Sequence, residues 1–170
     1  YMFTATVRRD GTSRFHRDHR WGTFPSVALA WRISEEAFLR DNPLISTLKL
    51  RVSYGVTGQQ EGIGNYNYLP VYTYSQEGAE VQFGDQWLHT YRPEAYVQNL
   101  KWETTSSWNM GFDFGFLKDR ITGSLDYYTR QTKDLLATVP SPAGSNFDKN
   151  ILTNVGNVDS RGVEFTLNAT

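Results

Sequence analysis

The chain has 170 residues, a net charge of -1 at pH 7 and a mean hydropathy of -0.53. The near-zero charge argues against a nucleic-acid partner, and the absence of cysteine excludes disulfides and thiolate metal sites. Tyr and Phe number ten each and Gly fourteen, a composition that favours strands and turns, while no apolar run is long enough for a membrane-spanning helix.

Alternating apolar and polar residues predict the first three strands. The first covers residues 3–8 and is followed by a polar loop to about residue 20. The second begins after Pro25 and runs to residue 33, with Trp31 near its end in a position typical of an aromatic girdle. Residues 34–47 predict a helical turn that stops at Asn42-Pro43. The third strand covers residues 48–56 and alternates without interruption.

The segment 58–99 loses this alternation and predicts a long aromatic loop. A small hairpin between residues 68–74 and 81–87 is one arrangement that the sequence favours within it. Loops of this length are uncommon unless they are functional or disordered.

Residues 101–130 predict a long antiparallel hairpin. Apolar side chains occupy every second position of both halves, and only Lys118-Asp119 separates the two runs, which predicts a two-residue turn. In that register Phe112 faces Leu125 and Met110 faces Tyr127, so the apolar residues share one face.

The length of the hairpin strands distinguishes two fold classes. Strands of soluble domains usually have about five or six residues, whereas a transmembrane strand needs about 9 to 11. The alternation from Trp102 to Phe116 fits the transmembrane requirement better. A large soluble β-domain remains the alternative on this stretch alone. In the barrel interpretation a set of hairpin residues faces lipid: Phe112, Phe114, Phe116, Ile121 and Leu125.

The remaining sequence predicts a loop over residues 132–150 and a sixth strand over residues 154–167. An up-and-down order places segments 9–22, 58–100 and 133–150 on the side opposite the turn at Lys118-Asp119, with 34–47 as an unusually long link on the turn side. Six strands are too few to close a transmembrane barrel. The chain also begins and ends within a strand pattern, so we expect a segment of a longer protein.

Two groups of side chains could take part in catalysis or metal binding. The hairpin register makes Asp113 and Asp126 diagonal neighbours, roughly 7–8 Å apart at the backbone, a spacing that suits an inverting glycosidase pair but equally suits hydrated residues near Arg120 and Arg130. His16 and His19 with Asp18 lack a further ligand and are expected to be exposed loop residues. We therefore predict no catalytic residue and no metal site.

The long loop is the better candidate for ligand binding. Its rings can stack on sugar faces, and its amides, including Gln59, Gln60, Asn65, Asn67 and Gln82, can hydrogen-bond hydroxyl groups. The alternative is that the rings pack the loop against itself or against a partner protein. The candidate ligand-binding residues are Tyr66, Tyr68, Tyr72, Tyr74, Trp87 and Tyr91.

Several blocks resemble the late barrel region of SusC/RagA-type TonB-dependent outer-membrane receptors. They include Arg20-Trp21-Gly22-Thr23-Phe24-Pro25, Leu48-Lys49-Leu50-Arg51-Val52-Ser53-Tyr54-Gly55-Val56-Thr57-Gly58-Gln59, Leu100-Lys101-Trp102-Glu103 and Asn154-Val155-Gly156-Asn157-Val158. The blocks follow the order of that family along nearly the whole chain, with the loop from residue 64 to residue 99 as the main gap.

The resemblance implies an all-β fold, in which antiparallel up-and-down strands belong to a plugged barrel of about 22 strands with long extracellular loops. It implies import of glycans or peptides across a Gram-negative, Bacteroidetes-like outer membrane, beneath a SusD-like lipoprotein. The chain is expected to lack the plug, the TonB box and the terminal strands, so that TonB acts through other parts of the receptor. No cofactor is implied. The alternatives are a soluble carbohydrate-binding β-domain and an enzyme built on the Asp113/Asp126 pair.

Overall fold

The computed structural model describes residues 1–76, 78–142, 144 and 148–170, and parts of the predicted 58–99 and 132–150 loops lie outside them. The strands are β1 (Met2–Gly11), β2 (Trp21–Arg32), β3 (Ile45–Gln59), β4 (Tyr72–Tyr74), β5 (Glu80–Phe83), β6 (Gln86–His89), β7 (Tyr91–Pro93), β8 (Glu103–Phe116), β9 (Ile121–Lys133), β10 (Leu136–Pro140), β11 (Asn150–Asn154) and β12 (Asn157–Ala169). A 3-10 helix, Ile33–Glu35, follows β2 and overlaps the start of the predicted 34–47 turn. None of the helical turns in the described ranges has the length and apolar character needed to cross a membrane.

The long strands form one open antiparallel sheet in the order β1-β2-β3-β8-β9-β12, which confirms the predicted up-and-down order. Its connections 12–20, 60–102 and 134–156 lie at one end, here called the loop end. The connections 33–44 and 117–120 lie at the other, the turn end. Connection 33–44 at the turn end is longer than connection 12–20 at the loop end. The loop end therefore has the longer connections only because of 60–102 and 134–156.

The central hairpin has the predicted register. Phe112 pairs with Leu125 and Met110 with Tyr127. The predicted two-residue turn is wrong, because residues 117–120 connect the strands. Leu117, Lys118 and Asp119 have φ angles of 55°, 59° and 63°, in the left-handed region that costs energy for residues with a side chain.

Neighbouring backbone and side-chain groups hold that turn in place. The Leu117 amide donates to the Leu44 carbonyl (2.9 Å), and the Asp119 amide donates to Oγ of Ser46 (3.0 Å). The acceptors belong to Leu44, just before β3, and to Ser46 at the start of β3, both remote in sequence from the turn. The wider turn is therefore a tertiary feature that local turn rules do not reveal.

The second strand begins at Trp21, earlier than predicted, and includes Pro25. Proline cannot donate to a ladder and is normally confined to positions where no partner needs its amide. Pro25 pairs with Val7 of β1, but the pairing of β2 with β3 begins only at Ser26. One side of β2 is therefore open at Pro25, so the strand tolerates the missing donor.

One face of the sheet, the apolar face, is covered with large apolar side chains. The residues on it are Phe3, Ala5 and Val7; Val27, Leu29 and Trp31; Leu48, Leu50, Val52 and Tyr54; Trp108, Met110, Phe112, Phe114 and Phe116; Leu125 and Tyr127; and Val163, Phe165 and Leu167. None is buried, and Val163 and Phe165 are 66% and 62% exposed. This surface far exceeds the scattered apolar residues normal for a soluble protein.

The opposite face, the polar face, presents small and polar side chains. Its members include Thr4 and Thr6; Ser26 and Ala28; Lys49, Arg51 and Ser53; Asn109 and Asp113; Ser124 and Asp126; and Glu164 and Thr166. Because the alternation is maintained over all six strands, the sheet divides one apolar environment from one polar environment.

The buried core lies at the loop end rather than beneath the sheet. Its members come from three parts of the chain: Phe15 from connection 12–20, Phe24 from β2, and Ile63, Leu100 and Trp102 from connection 60–102. Leu136 and Leu152 of the 134–156 connection pack against it. This group, the loop cluster, therefore joins all three loop-end connections.

Gly58 makes room for the loop cluster, which leads to a testable prediction. A Cβ at Gly58 would overlap the ring of Phe24, whereas a Cβ at Gly55 of the same strand would lie an ordinary 3.5 Å from Cβ of Ser26. We expect Gly58→Ala to lower the free energy of unfolding by about 1 kcal/mol through overpacking. Gly55→Ala is the matched control. Equal thermal unfolding temperatures for the two variants of the intact protein would contradict this assignment.

Candidate functional site

Residues 72–76 and 78–93 form a two-part arm within the long loop. β4 pairs with β7 and β5 pairs with β6, so the predicted hairpin between 68–74 and 81–87 is wrong. Strands β6 and β7 are interrupted only at Thr90, whose carbonyl accepts from the Ser75 amide (2.9 Å) and whose amide donates to Ala79 (3.2 Å). The arm is thus one nearly continuous strand with two successive partners.

Alternation along this strand places Trp87, His89 and Tyr91 on one face. The ring of Tyr74 lies 4.9 Å from Tyr91 in a stacked arrangement and 5.8 Å from His89 edge-on. Tyr72 shares the side of Tyr74 by the same alternation. We call these five residues the ring stripe. They are exposed, and their ring faces are accessible to solvent.

Polar groups accompany the ring stripe. Nδ1 of His89 lies 2.9 Å from a carboxylate oxygen of Glu80, and Gln82 pairs with Trp87 across the ladder. The hydrogen bond with Tyr74 raises the pKa of the Tyr91 phenol above its ordinary value of 10.0. The Tyr91 hydroxyl is protonated at neutral pH, as an unperturbed phenol also is, and can take part in hydrogen bonds with ligand hydroxyls or amides.

The six candidate ligand-binding residues do not form one group. Tyr72, Tyr74, Trp87 and Tyr91 belong to the ring stripe. Tyr68 is buried and meets His16 edge-on at 6.0 Å, so it packs the loop as the alternative interpretation supposed. Tyr66 is exposed but lies before the arm, with a left-handed φ of 66°.

The opposite face of the arm is apolar, a feature that sequence reasoning missed. Val81 pairs with Leu88 there, and Phe83 is 77% exposed. The sequence does contain the pattern that indicates this face, because apolar residues alternate with polar ones between residues 81 and 88. Because the predicted partner strand was wrong, the two faces could not be separated.

The polar face carries an ion-pair network across three strands. Nε and Nη2 of Arg51 donate to the two carboxylate oxygens of Asp113 at 2.9 and 2.7 Å, and Nη2 also donates to Asp126 at 2.9 Å. The sequence analysis placed the Asp113/Asp126 pair near Arg120 and Arg130. That prediction was wrong, because the cation that binds both carboxylates is Arg51. Gly111 lies between the partners, and a side chain there would overlap Asp126.

The histidines of connection 12–20 do not form a metal centre. Nδ1 of His16 lies 3.1 Å from a carboxylate oxygen of Asp18. Within the described ranges no group of three or more histidine and carboxylate side chains is arranged to hold a metal ion.

Comparison with known proteins gives consistent matches over the whole chain. The model of the family described as TonB dependent receptor-like, beta-barrel matches residues 1–170. The chain is 52% identical to TonB-dependent receptor SusC of Bacteroides thetaiotaomicron over 99% of its own length and 17% of that protein. It is 39% identical to TonB-dependent receptor P39 of Formosa agariphila, over 99% and 16%. The chain therefore spans about one sixth of these curated relatives.

Solved structures show the same similarity. The RagAB peptide importer in its closed-closed state superposes with a TM-score of 0.82 and 32% identity, covering 97% of this chain and 17% of that one. The open-open state gives a TM-score of 0.80 and 33% identity over the same shares. The similarity covers both the sheet and most of its connections.

Proposed function

The chain belongs to the TonB-dependent receptor-like β-barrel family, and from this premise we propose that it supplies six strands of the barrel of an outer-membrane nutrient transporter. The receptor is of the SusC/RagA type, which favours this function over the soluble carbohydrate-binding domain. The proposed location is the outer membrane of a Gram-negative, Bacteroidetes-like cell. TonB acts through other parts of the receptor.

The observation that carries this proposal is the division of the sheet into two faces. The apolar face has no protein core against it in the described part of the chain, and burying Val163, Phe165 and their neighbours requires an apolar medium. Each square ångström of apolar surface removed from water contributes about 25 cal/mol, so lipid contact is strongly favourable. The polar face then lines the wet lumen.

We propose that the ring stripe contacts the cargo, a glycan or a peptide. Tyr74, Tyr91 and Trp87 present flat apolar surfaces, while Glu80 and Gln82 beside them supply polar atoms. Both sugar rings and peptide side chains can stack on such surfaces. The position of the arm at the loop end fits capture before passage through the barrel.

The apolar opposite face of the arm fits a protein partner. Val81, Phe83 and Leu88 form an exposed apolar surface rimmed by polar residues, as protein interfaces do. We assign this face to a SusD-like surface lipoprotein. The two faces thus divide the arm between cargo and partner.

A catalytic role does not fit the carboxylate pair. Asp113 and Asp126 both accept hydrogen bonds from Arg51, which occupies carboxylate oxygens that a general acid or base would need. The proposed function is therefore binding and transport without covalent chemistry.

Deletion of the arm tests the proposed function. The Glu94 amide donates to the Val71 carbonyl at 2.9 Å, so the ends of the arm are adjacent and a short Gly-Gly turn can replace residues 72–93. This deletion keeps Tyr68 and the loop cluster. In the full-length receptor we expect normal assembly, because closure entropy changes by only about 0.6 kcal/mol per doubling of loop length. Growth on the cargo is expected to fall.

Point variants then separate the two faces of the arm. Trp87→Ala and Tyr91→Ala are each expected to weaken cargo binding by about fivefold, the loss of one stacking ring, without affecting partner recovery. Phe83→Ser and Leu88→Ser are expected to reduce co-purification of the lipoprotein while leaving cargo binding to the isolated receptor unchanged. Unaltered growth and partner recovery in a well-expressed arm deletion would show that the arm is only packing.

A further inference from the structure

The blocks of sequence that carry the family resemblance meet at the loop end, although they are far apart in the chain. They cover residues 20–25, 48–59, 100–103 and 154–158. The Phe24 ring of the first block covers Gly58 of the second, and its centroid lies 5.5 Å from that of Trp102 in the third. Asn154 of the fourth block is hydrogen-bonded to Lys101 of the third. The four blocks therefore form one structural unit, which lies outside the binding surfaces of the arm.

The side-chain amide of Asn154 joins two loop-end connections. Its Oδ1 accepts from the Lys101 amide at 2.9 Å, and its Nδ2 donates to the Lys101 carbonyl at 2.9 Å. The same nitrogen also donates to the Asp134 carbonyl at 2.8 Å. Neighbouring β-strands exchange N–H and C=O bonds in the same way, with a backbone in place of the side chain. Because the amide is bonded through both its oxygen and its nitrogen, its orientation is fixed.

Two further contacts tie the same segments together. Nζ of Lys101 lies 3.0 Å from a carboxylate oxygen of Asp134, and a carboxylate oxygen of Glu103 accepts from the Leu136 amide at 2.9 Å. Leu136 pairs with Asn154 across the β10–β11 ladder. The side-chain hydrogen bonds of Asn154 and Glu103 are here called the clasp. Because it reaches both strands of that hairpin, the clasp fixes the described part of connection 134–156 on the start of β8.

The backbone at Lys101 leads directly to the base of the arm. The Leu100 amide donates to the Val97 carbonyl at 3.4 Å, and Val97 packs against the loop cluster. The Val97 amide in turn donates to the Asn67 carbonyl at 3.0 Å, so the two chain segments that enter the arm are joined below it. A continuous series of contacts therefore runs from Asn154 through residues 97–101 to the arm.

We propose that Asn154 is a positioning residue for the arm. Its amide fixes the backbone at Lys101, and the clasp thereby holds the arm in the orientation in which the ring stripe meets cargo. This role rests on the proposed contact of the ring stripe with cargo. Without the clasp, the arm samples several orientations above an intact sheet. The apparent affinity for a ligand falls with the fraction of molecules in the competent orientation, so Asn154 affects capture without touching cargo.

Asn154→Asp in the full-length receptor tests the clasp. Aspartate has the size of asparagine and keeps an oxygen for the Lys101 amide, but it replaces the donor nitrogen with an oxygen that repels the Lys101 and Asp134 carbonyls. Asn157→Asp is the matched control. It adds the same charge three residues later, and Oδ1 of Asn157 accepts from the Asp134 amide at 3.3 Å, a bond that a carboxylate can keep.

Spin labels report the orientation of the arm without any ligand. They are attached to cysteines introduced at Asp85, in the exposed turn between β5 and β6, and at Arg120, exposed at the turn end, in a receptor with no other cysteine. We expect one narrow distance distribution for the wild type and for Asn157→Asp. In Asn154→Asp we expect a broad distribution in which about a fifth of the molecules keep the original distance. A wild-type distribution in an assembled Asn154→Asp receptor would overturn the proposal.

Uptake measurements separate positioning from a general structural role. At a limiting concentration of the nutrient that requires the receptor, Asn154→Asp is expected to reduce uptake about fivefold, in proportion to the competent fraction. Added to the deletion of residues 72–93, it is expected to reduce uptake no further, because the arm is already absent. A further loss would overturn the positioning role. If the arm deletion alone left uptake unchanged, the proposed function would fail, and the label distances would still decide whether Asn154 holds the arm.

A second pair of variants makes the test independent of how well Asn154→Asp assembles, which heat-modifiable gel mobility reports. Glu103→Met removes the acceptor of the Leu136 amide, whereas Glu103→Gln keeps one. Only Glu103→Met is expected to broaden the distance distribution. Equal distributions for the two variants would overturn the clasp.

Discussion

Phe114→Arg is expected to lower the free energy of unfolding of the full-length receptor in lipid by about 2 kcal/mol, because a cation on the lipid face costs about 2–4 kcal/mol at the bilayer midplane and less toward the interfaces. Phe114 lies in the second row from the turn end, between Phe116 and Phe112. Its ring contacts Phe116 at 5.6 Å and Phe165 at 6.4 Å, and it covers Gly123 of the neighbouring strand. The substitution therefore adds a charge and removes a packed ring.

Thr122→Arg provides the control for that prediction. Thr122 is adjacent to Gly123 but projects from the polar face, opposite Gly115, where an arginine can reach water. Asp113 would be a poor control, because it binds Arg51 and its replacement has a cost of its own. The two arginine variants are compared by heat-modifiable gel mobility and by urea unfolding in bilayers. Similar losses would mean that the polar and apolar faces do not meet different solvents.

The predictability of the central hairpin follows from its uniform alternation. Because side chains alternate with a period of two, a shift of one residue would move every apolar residue from Met110 to Phe116 to the wrong face. One register therefore satisfies both strands, and the structure has it. The turn type was not determined by this argument, since any turn that preserves Phe116 opposite Ile121 gives the same pairs.

The arm could not be predicted because its strands are too short. β4 and β7 contain three residues each, so alternation offers a single repeat and does not identify a partner. Pairing is decided instead by the residues between them, where Ser75 and Ala79 both bond to Thr90. Ring content correctly marked the segment as unusual. It could not distinguish the buried Tyr68 from the exposed Tyr74.

The ion-pair partners of Arg51 could not be predicted from the sequence for a different reason. Alternation places Arg51 on the polar face, but its partners depend on the register of β3 against β8, which a long loop separates in sequence. No local turn fixes that register. A clue lay in Gly111, which faces both Arg51 and Asp126 and leaves the space that the guanidinium fills.

Arg51→Met is expected to lower the free energy of unfolding by about 2 kcal/mol. Removing the guanidinium leaves the Asp113 and Asp126 carboxylates without their shared cation, and stranding half-buried charges costs more than the ion pair contributes. Side-chain exposures of 40%, 29% and 32% allow water to reduce that cost below the value for a fully buried pair. Urea unfolding in bilayers measures the change.

Two further variants test whether the stability lost in Arg51→Met comes from breaking the ion-pair network or only from removing a positive charge. Lys49→Met removes a neighbouring cation from the same strand and face, and Lys49 has no ion pair within the described ranges, so we expect a change below about 0.5 kcal/mol. Asp126→Asn added to Arg51→Met removes the repulsion between the carboxylates and is expected to restore about half of the loss. If Lys49→Met were as destabilising as Arg51→Met, overall lumen charge would be the cause. If the added Asp126→Asn restored nothing, the carboxylates would not be coupled through Arg51, and the three strands would be held in register by backbone pairing and the apolar face alone.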